Sequence, residues 1–80
     1  MTPNADPKLV RRVFALLREA QISDRGERLD VMSWITQMPV GSTNELGEAE
    51  LDTIASTLAY WLREGRMQEY RQRIAKESGG

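Results

Sequence analysis

The sequence predicts an all-α protein, a small three- to four-helix bundle with a long ordered corner between its second and third helices. Three observations carry that expectation. Apolar residues recur with a helical period, most clearly at Leu51, Ile54, Ala55, Leu58 and Leu62, spaced i, i+3, i+4, i+7 and i+11. Residues that start and stop helices stand between the periodic stretches: Asp6-Pro7, Asp24 with Glu27, Pro39 and Gly65. Finally, with only two Trp, two Tyr and one Phe in 80 residues, Leu, Val, Ile, Met and Ala must fill the core, which suits helices better than sheets.

The whole of 1–80 is expected to be one domain, near the low end of what folds without staples. The chain has no Cys and no His, so disulfides and the commonest metal ligands are absent and the core rests on apolar packing alone.

Residues 1–5 read as a loose terminus. Asp6 can cap a helix that Pro7 opens. Leu9, Val10, Val13, Phe14, Leu16, Leu17 and Ala20 then cover an arc of about 160°, wide enough for a helix with two neighbours. The opposite face gathers Lys8, Arg11, Arg12, Ala15 and Arg18, with Glu19 the only acid. It is either a solvated outer surface or a surface for an acidic partner.

Ile22 is placed to pack under the turn that follows. Asp24 with Glu27 three residues on forms a capping-box-like pair for a second helix. There Leu29, Met32 and Ile35 make the core stripe, Val31 and Met38 lie at its edge, and Trp34 falls about 120° away, flanking the core or anchoring a partner. Gly26 weakens this helix by ~1 kcal/mol, and Pro39 ends it by excluding helical geometry at Met38.

The connection that follows is rich in turn formers, with Val40 and Leu46 tucked inward. Gly41-Ser42-Thr43 lacks the Lys and the spaced glycines of a phosphate loop. A third helix starts near Gly47 with Glu48, Glu50 and Asp52 where the helix dipole favours acids. Trp61 sits at the edge of its stripe, half buried. Tyr60 points away from the stripe, and we expect the last segment to fold back over it. Gly65 is a stop or hinge. A last helix over 66–77 carries Met67, Tyr70 and Ile74 on a narrow stripe; it docks on Tyr60 and Trp61 or extends from the domain. Residues 78–80 form a flexible tail.

Charge is unevenly laid out along the chain. Residues 1–28 hold six basic and four acidic side chains, net +2; residues 29–62 hold five acids and no base, net −5; residues 63–80 hold five bases and three acids, net +2. The total of −1 argues against a general nucleic-acid binder. Major-groove reading by the third helix is excluded by its opening acids, though Arg25 and Arg28 at the second helix and Arg66, Arg71 and Arg73 at the end are candidate backbone contacts.

No catalytic, cofactor-binding or metal-ligating residues are nominated. The acids do not match a calcium loop, no base stands near a nucleophile, and an 80-residue chain leaves little room for a catalytic pocket. No apolar run approaches the ~20 residues of a membrane span and no signal peptide opens the chain. A cytoplasmic protein without a membrane segment is expected, as a monomer or small homo-oligomer.

Leu16-Leu17, Ile22-Ser23-Asp24-Arg25, Arg28-Leu29, the corner residues Val40, Ser42 and Leu46, and then Glu50 form a pattern. Over 7–62 that pattern resembles a helical module of phage and prophage recombination-associated proteins of actinobacteria, often found C-terminal to single-strand annealing proteins. Two departures stand out: Gln37-Met38 where that family has a Gly-Arg pair, and Gly47 where it often has Thr. The resemblance implies a helical docking or accessory module standing alone, phage-encoded and placed in the host cytoplasm. Its matched positions are structural, which makes 23–62 a scaffold and puts function on the flanks.

Two expectations follow. The first is a non-enzymatic protein-interaction module, meeting a host or phage protein through Lys8, Arg11, Arg12 and Arg18 with Trp34 or Tyr60. The second is a weak nucleic-acid binder of phage recombination or transcription, using the same basic face with the arginines at 25, 28, 66, 71 and 73.

Overall fold

The structure, a computed structural model, describes residues 7–78. It consists of α1 (Pro7–Glu19), α2 (Arg25–Thr36), α3 (Glu48–Glu64) and α4 (Met67–Ser78), with a 3-10 turn at Thr43–Glu45 and no strand among the described residues. The all-α bundle expected from periodicity is therefore what forms. The expected loose terminus at 1–5, the Asp6 cap and the glycines of the tail lie outside the described residues.

α3 is the centre of the bundle because its apolar stripe is the longest and cleanest. Leu51, Ile54, Ala55, Leu58 and Trp61 are all buried on it, and α1, α2 and α4 each pack against it. α1 contributes Val13 and Leu17, α2 Val31 and Met32, and α4 Met67 and Ile74 to the same cluster. Each such side chain adds ~1.5–3 kcal/mol when fully buried. α2 packs on α4 as well as on α3, whereas α1 and α2, consecutive in sequence, barely touch. The radius of gyration is 12.0 Å, about the value for a packed chain of this length, so α4 is docked.

Three helices end on a residue in the left-handed region: Gln21 (φ 64°), Gln37 (φ 60°) and Gly65 (φ 71°). After α1, the Ile22 N–H reaches the Leu17 carbonyl (2.9 Å) and the Gln21 N–H the Arg18 carbonyl (2.9 Å), a Schellman pair that drops Ile22 into the core. The same pairing closes α3, from Arg66 to Trp61 (2.8 Å) and from Gly65 to Leu62 (3.3 Å). α2 stops at Thr36 with Gln37 turned left-handed, one residue before the end that excluding helix at Met38 implies. Pro39 forbids helix at Met38, and the chain executes the exit earlier.

The corner is ordered by its own hydrogen bonds. The Val40 N–H donates to the Ser33 hydroxyl (3.0 Å), the Gly41 N–H to the Glu45 carboxylate (2.9 Å), and the Gly47 N–H to the Glu50 carboxylate (2.9 Å). Val40 and Leu46 are buried at its two ends, as expected. At the start of α2, Asp24 accepts from the Glu27 N–H at 3.0 Å.

Three burial expectations are corrected. On α2 the deepest residues are Val31 and Met32, while Leu29 and Ile35 are only partly buried, because α2 is held by α3 on one side and α4 on another, turning its buried centre toward Val31. Trp61 is 4% exposed rather than half buried, since α4 closes over it. Tyr60 remains 49% exposed: α4 follows the side of α3 that bears Trp61, and no helix crosses Tyr60.

Candidate functional site

α2 has a neighbour on each flank, and the two seams are built differently. On the α4 side, Trp34 of α2 meets Trp61 (ring centroids 5.9 Å apart) and Tyr70 (5.8 Å), while Trp61 and Tyr70 stack at 4.1 Å with planes 7° apart. The Trp34 indole N–H donates to Glu77 at 3.0 Å. Arg71 grips Glu27 through two bonds, 2.8 Å from Nε and 3.0 Å from an Nη, and its other Nη donates to the Ala20 carbonyl at 3.2 Å. The hydrogen bond to Glu27 raises the Arg71 pKa above its ordinary value, partial burial opposes the rise, and the charge of Glu27 adds to it.

On the α1 side the seam is open. One cavity of about 410 Å³ is lined by Phe14, Arg18, Gln21, Ile22, Ser23 and Arg28. A second of about 280 Å³ continues from it, sharing Phe14 and Arg28 and adding Val10, Arg25, Leu29, Met32, Ser42 and Thr43. The floor is apolar, and Val10, Phe14 and Leu29 are only partly buried there. Neither lining includes a carboxylate. The α4 side carries cavities of comparable size, but with acids in their linings: about 430 Å³ among Asp24, Glu27 and Asp30 around Arg71, and about 390 Å³ beside Asp30, Trp34 and Glu77.

Among the described residues Arg18, Arg25 and Arg28 make no ion pair, although the Glu45 carboxylate holds the N–H of Gly41, the residue whose carbonyl Arg25 takes. Arg28 lies over the Phe14 ring (5.5 Å to the centroid) and donates to the Ser23 carbonyl at 2.7 Å. Arg25 donates to the Gly41 carbonyl at 3.3 Å. A carbonyl accepts one bond but cancels no charge, and each guanidinium has further donors. Arg18 is exposed and closes the upper end of the groove. Arg11 stands one turn from Phe14 and two from Arg18, on the same side of α1.

The candidate residues thus divide. Arg18, Arg25 and Arg28 line the groove, while Arg11 is exposed on α1 and lines neither cavity. Arg12 and Lys8 are exposed farther round α1. Trp34 is committed to the aromatic trio, and Arg71 to Glu27. Arg73 lies over Tyr70 (5.3 Å) and near Glu69 (3.7 Å); Arg66 is exposed between α3 and α4. Tyr60 faces solvent from the outer side of α3, with Arg63 near its ring at 5.9 Å. The bundle therefore does not join Trp34 or Tyr60 to the basic side of α1.

Phe14, Val10 and Leu29 are the groove residues that the sequence reading assigned to the core alone. The signal was the width of the first helix's apolar arc: it suits two neighbours, but α1 packs chiefly on α3. The surplus is the groove floor.

Among the described residues, no cluster of His, Cys, Asp and Glu is placed to hold a metal ion, and no helix is long and apolar enough to cross a membrane. Compared with known proteins, the chain matches no family model, no curated protein and no solved structure.

Proposed function

We propose that this protein is a non-enzymatic interaction module that docks a segment of another protein in the groove between α1 and α2. One observation carries the reading: the seam where two consecutive helices fail to pack has a partly exposed apolar floor, a rim of arginines and no acid. Apolar floors supply affinity and rim charges select the partner and speed its arrival. The setting we propose is that of a phage-encoded accessory factor in the host cytoplasm, in keeping with the resemblance of 7–62 to phage recombination-associated modules.

A second reading, weak nucleic-acid binding, draws on the same cluster of Arg18, Arg25 and Arg28. It is disfavoured by the acids Glu45, Glu48, Glu50 and Asp52 that follow the groove in the chain. Two measurements separate the readings. Labelled single- and double-stranded DNA titrated at ~50 mM salt, where phosphate contacts are strongest, should show no saturable binding. Peptides selected from a random display library on the intact protein should lose binding to the Arg18→Glu and Phe14→Ser variants. Selected peptides indifferent to both variants, or tight salt-sensitive DNA binding, would sink the module reading.

A further inference from the structure

We infer that the groove's occupant is an acidic amphipathic helix, which seats a large apolar side chain against Phe14 and Ile22 and places a carboxylate between Arg25 and Arg28, one turn further along. This rests on the interaction-module reading and adds to it the chemistry of the partner and the spacing of its two determinants.

The upper cavity is the larger of the two. Its base is the fully buried Ile22 and the half-buried ring of Phe14, with the stem of Arg18 on one wall and Arg28 stacked over the ring. At about 410 Å³ it has room for an aromatic or leucine side chain, the anchors that bring most of the area to a helix-in-groove contact. The lower cavity holds both Arg25 and Arg28, over a floor of Val10, Leu29 and Met32. Arg25 and Arg28 project from successive turns of α2, each holding a backbone carbonyl with one nitrogen, and the Thr43 residue faces them from the corner. A carboxylate is the group that two such forks accept, through charge-assisted bonds stronger than those to the carbonyls.

Geometry sets the spacing. Along α1 the upper cavity runs from Phe14 to Arg18 and the lower from Val10 to Phe14, so their centres lie four residues, or about 6 Å, apart along the axis. That is the separation of side chains at i and i+4 on a partner helix. A helix also suits the walls, because two helices with a gap between them offer a trough, and with no strand among the described residues there is no sheet edge for β-addition. A nucleic-acid strand would carry a charge at every nucleotide past the lower cavity toward Glu45 and Glu48; a helix confines its acids to one face.

The test uses the intact protein and an alanine-based helical peptide of about 16 residues with a central Trp and a Glu four residues later. Sister peptides carry Glu→Gln or Trp→Ala. Binding is read by fluorescence anisotropy and by amide shifts in 15N spectra. The expected result is shifts concentrated at 10–32, binding about fivefold weaker for the Gln peptide, and near-complete loss for the Ala peptide. In the Arg25→Ala variant the preference for the Glu over the Gln peptide should shrink to about twofold, the share left to Arg28, while the Trp preference remains. Lys76→Ala, an equal loss of charge on α4, should change nothing.

Several results would overturn the inference: equal binding of the Glu and Gln peptides, shifts centred on α2 and α4, or no binding of the Trp–Glu peptide. Self-association that perturbs the groove amides without peptide would replace it with a second copy as occupant. If library-selected peptides still require Arg18 and Phe14 in those cases, the module reading stands and only the acidic-helix inference fails. If they do not, both fail.

Discussion

The two flanks of α2 use the same residue types to opposite ends. At the α4 flank, aromatics stack on one another, Arg71 is matched to Glu27 and the Trp34 N–H to Glu77. At the α1 flank, the one aromatic is faced by a cation rather than another ring, and Arg25 and Arg28 hold neutral carbonyls. The difference lies in the acids. Glu27 and Glu77 stand opposite Arg71 and Trp34, while no acid lines the cavities beside Arg18, Arg25 and Arg28. The lesson is that one seam is built for stability and the other is left to accept something. Substitutions at the first should cost folding free energy, and those at the second should cost binding.

The largest expected effect tests the closed seam at its centre. Trp61→Ala should lose ~3–5 kcal/mol, the usual cost of emptying a core aromatic site, which is a large share of the ~4–12 kcal/mol that an 80-residue domain has in total. Urea denaturation followed by far-UV circular dichroism measures it. Phe14→Ala at the open seam should lose less than ~1.5 kcal/mol, because its ring is already partly in water. Equal losses would erase the distinction between the seams.

Next comes the ion pair. Arg71→Ala should cost about 2 kcal/mol, since it removes three hydrogen bonds, two of them charge-assisted, from a site where both partners are mostly covered. A double-mutant cycle with Glu27→Gln isolates the pair, and a coupling below ~0.5 kcal/mol would show that α4 is held by the aromatics alone. The raised pKa of Arg71 makes a further point about pH. A cation with a raised folded pKa contributes its full stabilisation at every pH below its ordinary value, and loses it only as pH climbs through the folded one. For an arginine that climb lies in strong base, so the arginine itself should bring no pH dependence to the seam near neutrality. Trp34→Phe is a smaller probe. It keeps a ring in the trio but deletes the indole N–H bonded to Glu77, and should cost about 1 kcal/mol in the same assay.

These effects also mark what was legible in the sequence. The helices were, because each stripe and most caps are local: Leu51 to Leu62 at helical spacing, Asp24 above Glu27, Gly65 at a left-handed exit. Gln21 and Gln37 adopt that same exit without glycine's advertisement, at a cost of about 1 kcal/mol each, and so the end of α2 was read late. The stacking of Trp61 on Tyr70 and the exposure of Tyr60 depend on which side of α3 the last helix follows, and no local pattern states that. The groove was half legible. The arginines were visible as a charged face, but their convergence on Phe14 and Leu29 follows from α1 and α2 not packing together, which is a property of the bundle. The width of the first helix's apolar arc was the one trace of it along the chain.

The smallest expected effect is the one that separates the seams most sharply. Among the described residues Arg18 makes no ion pair, and it stands in the last turn of α1, where its charge meets the negative end of the helix dipole. Arg18→Ala should therefore lower stability by only ~0.3–1 kcal/mol, a shift in the urea midpoint close to the limit of the assay. The same substitution removes a wall and a charge from the upper cavity, so groove-selected peptides should weaken well beyond that figure, by about tenfold, and less so as salt screens the contact. A residue at the closed seam should show the reverse, with stability falling and peptide affinity unchanged in the fraction still folded. If Arg18→Ala instead moved stability and affinity by equal amounts, the arginine would be serving the fold, and the open seam would be an unfinished copy of the closed one.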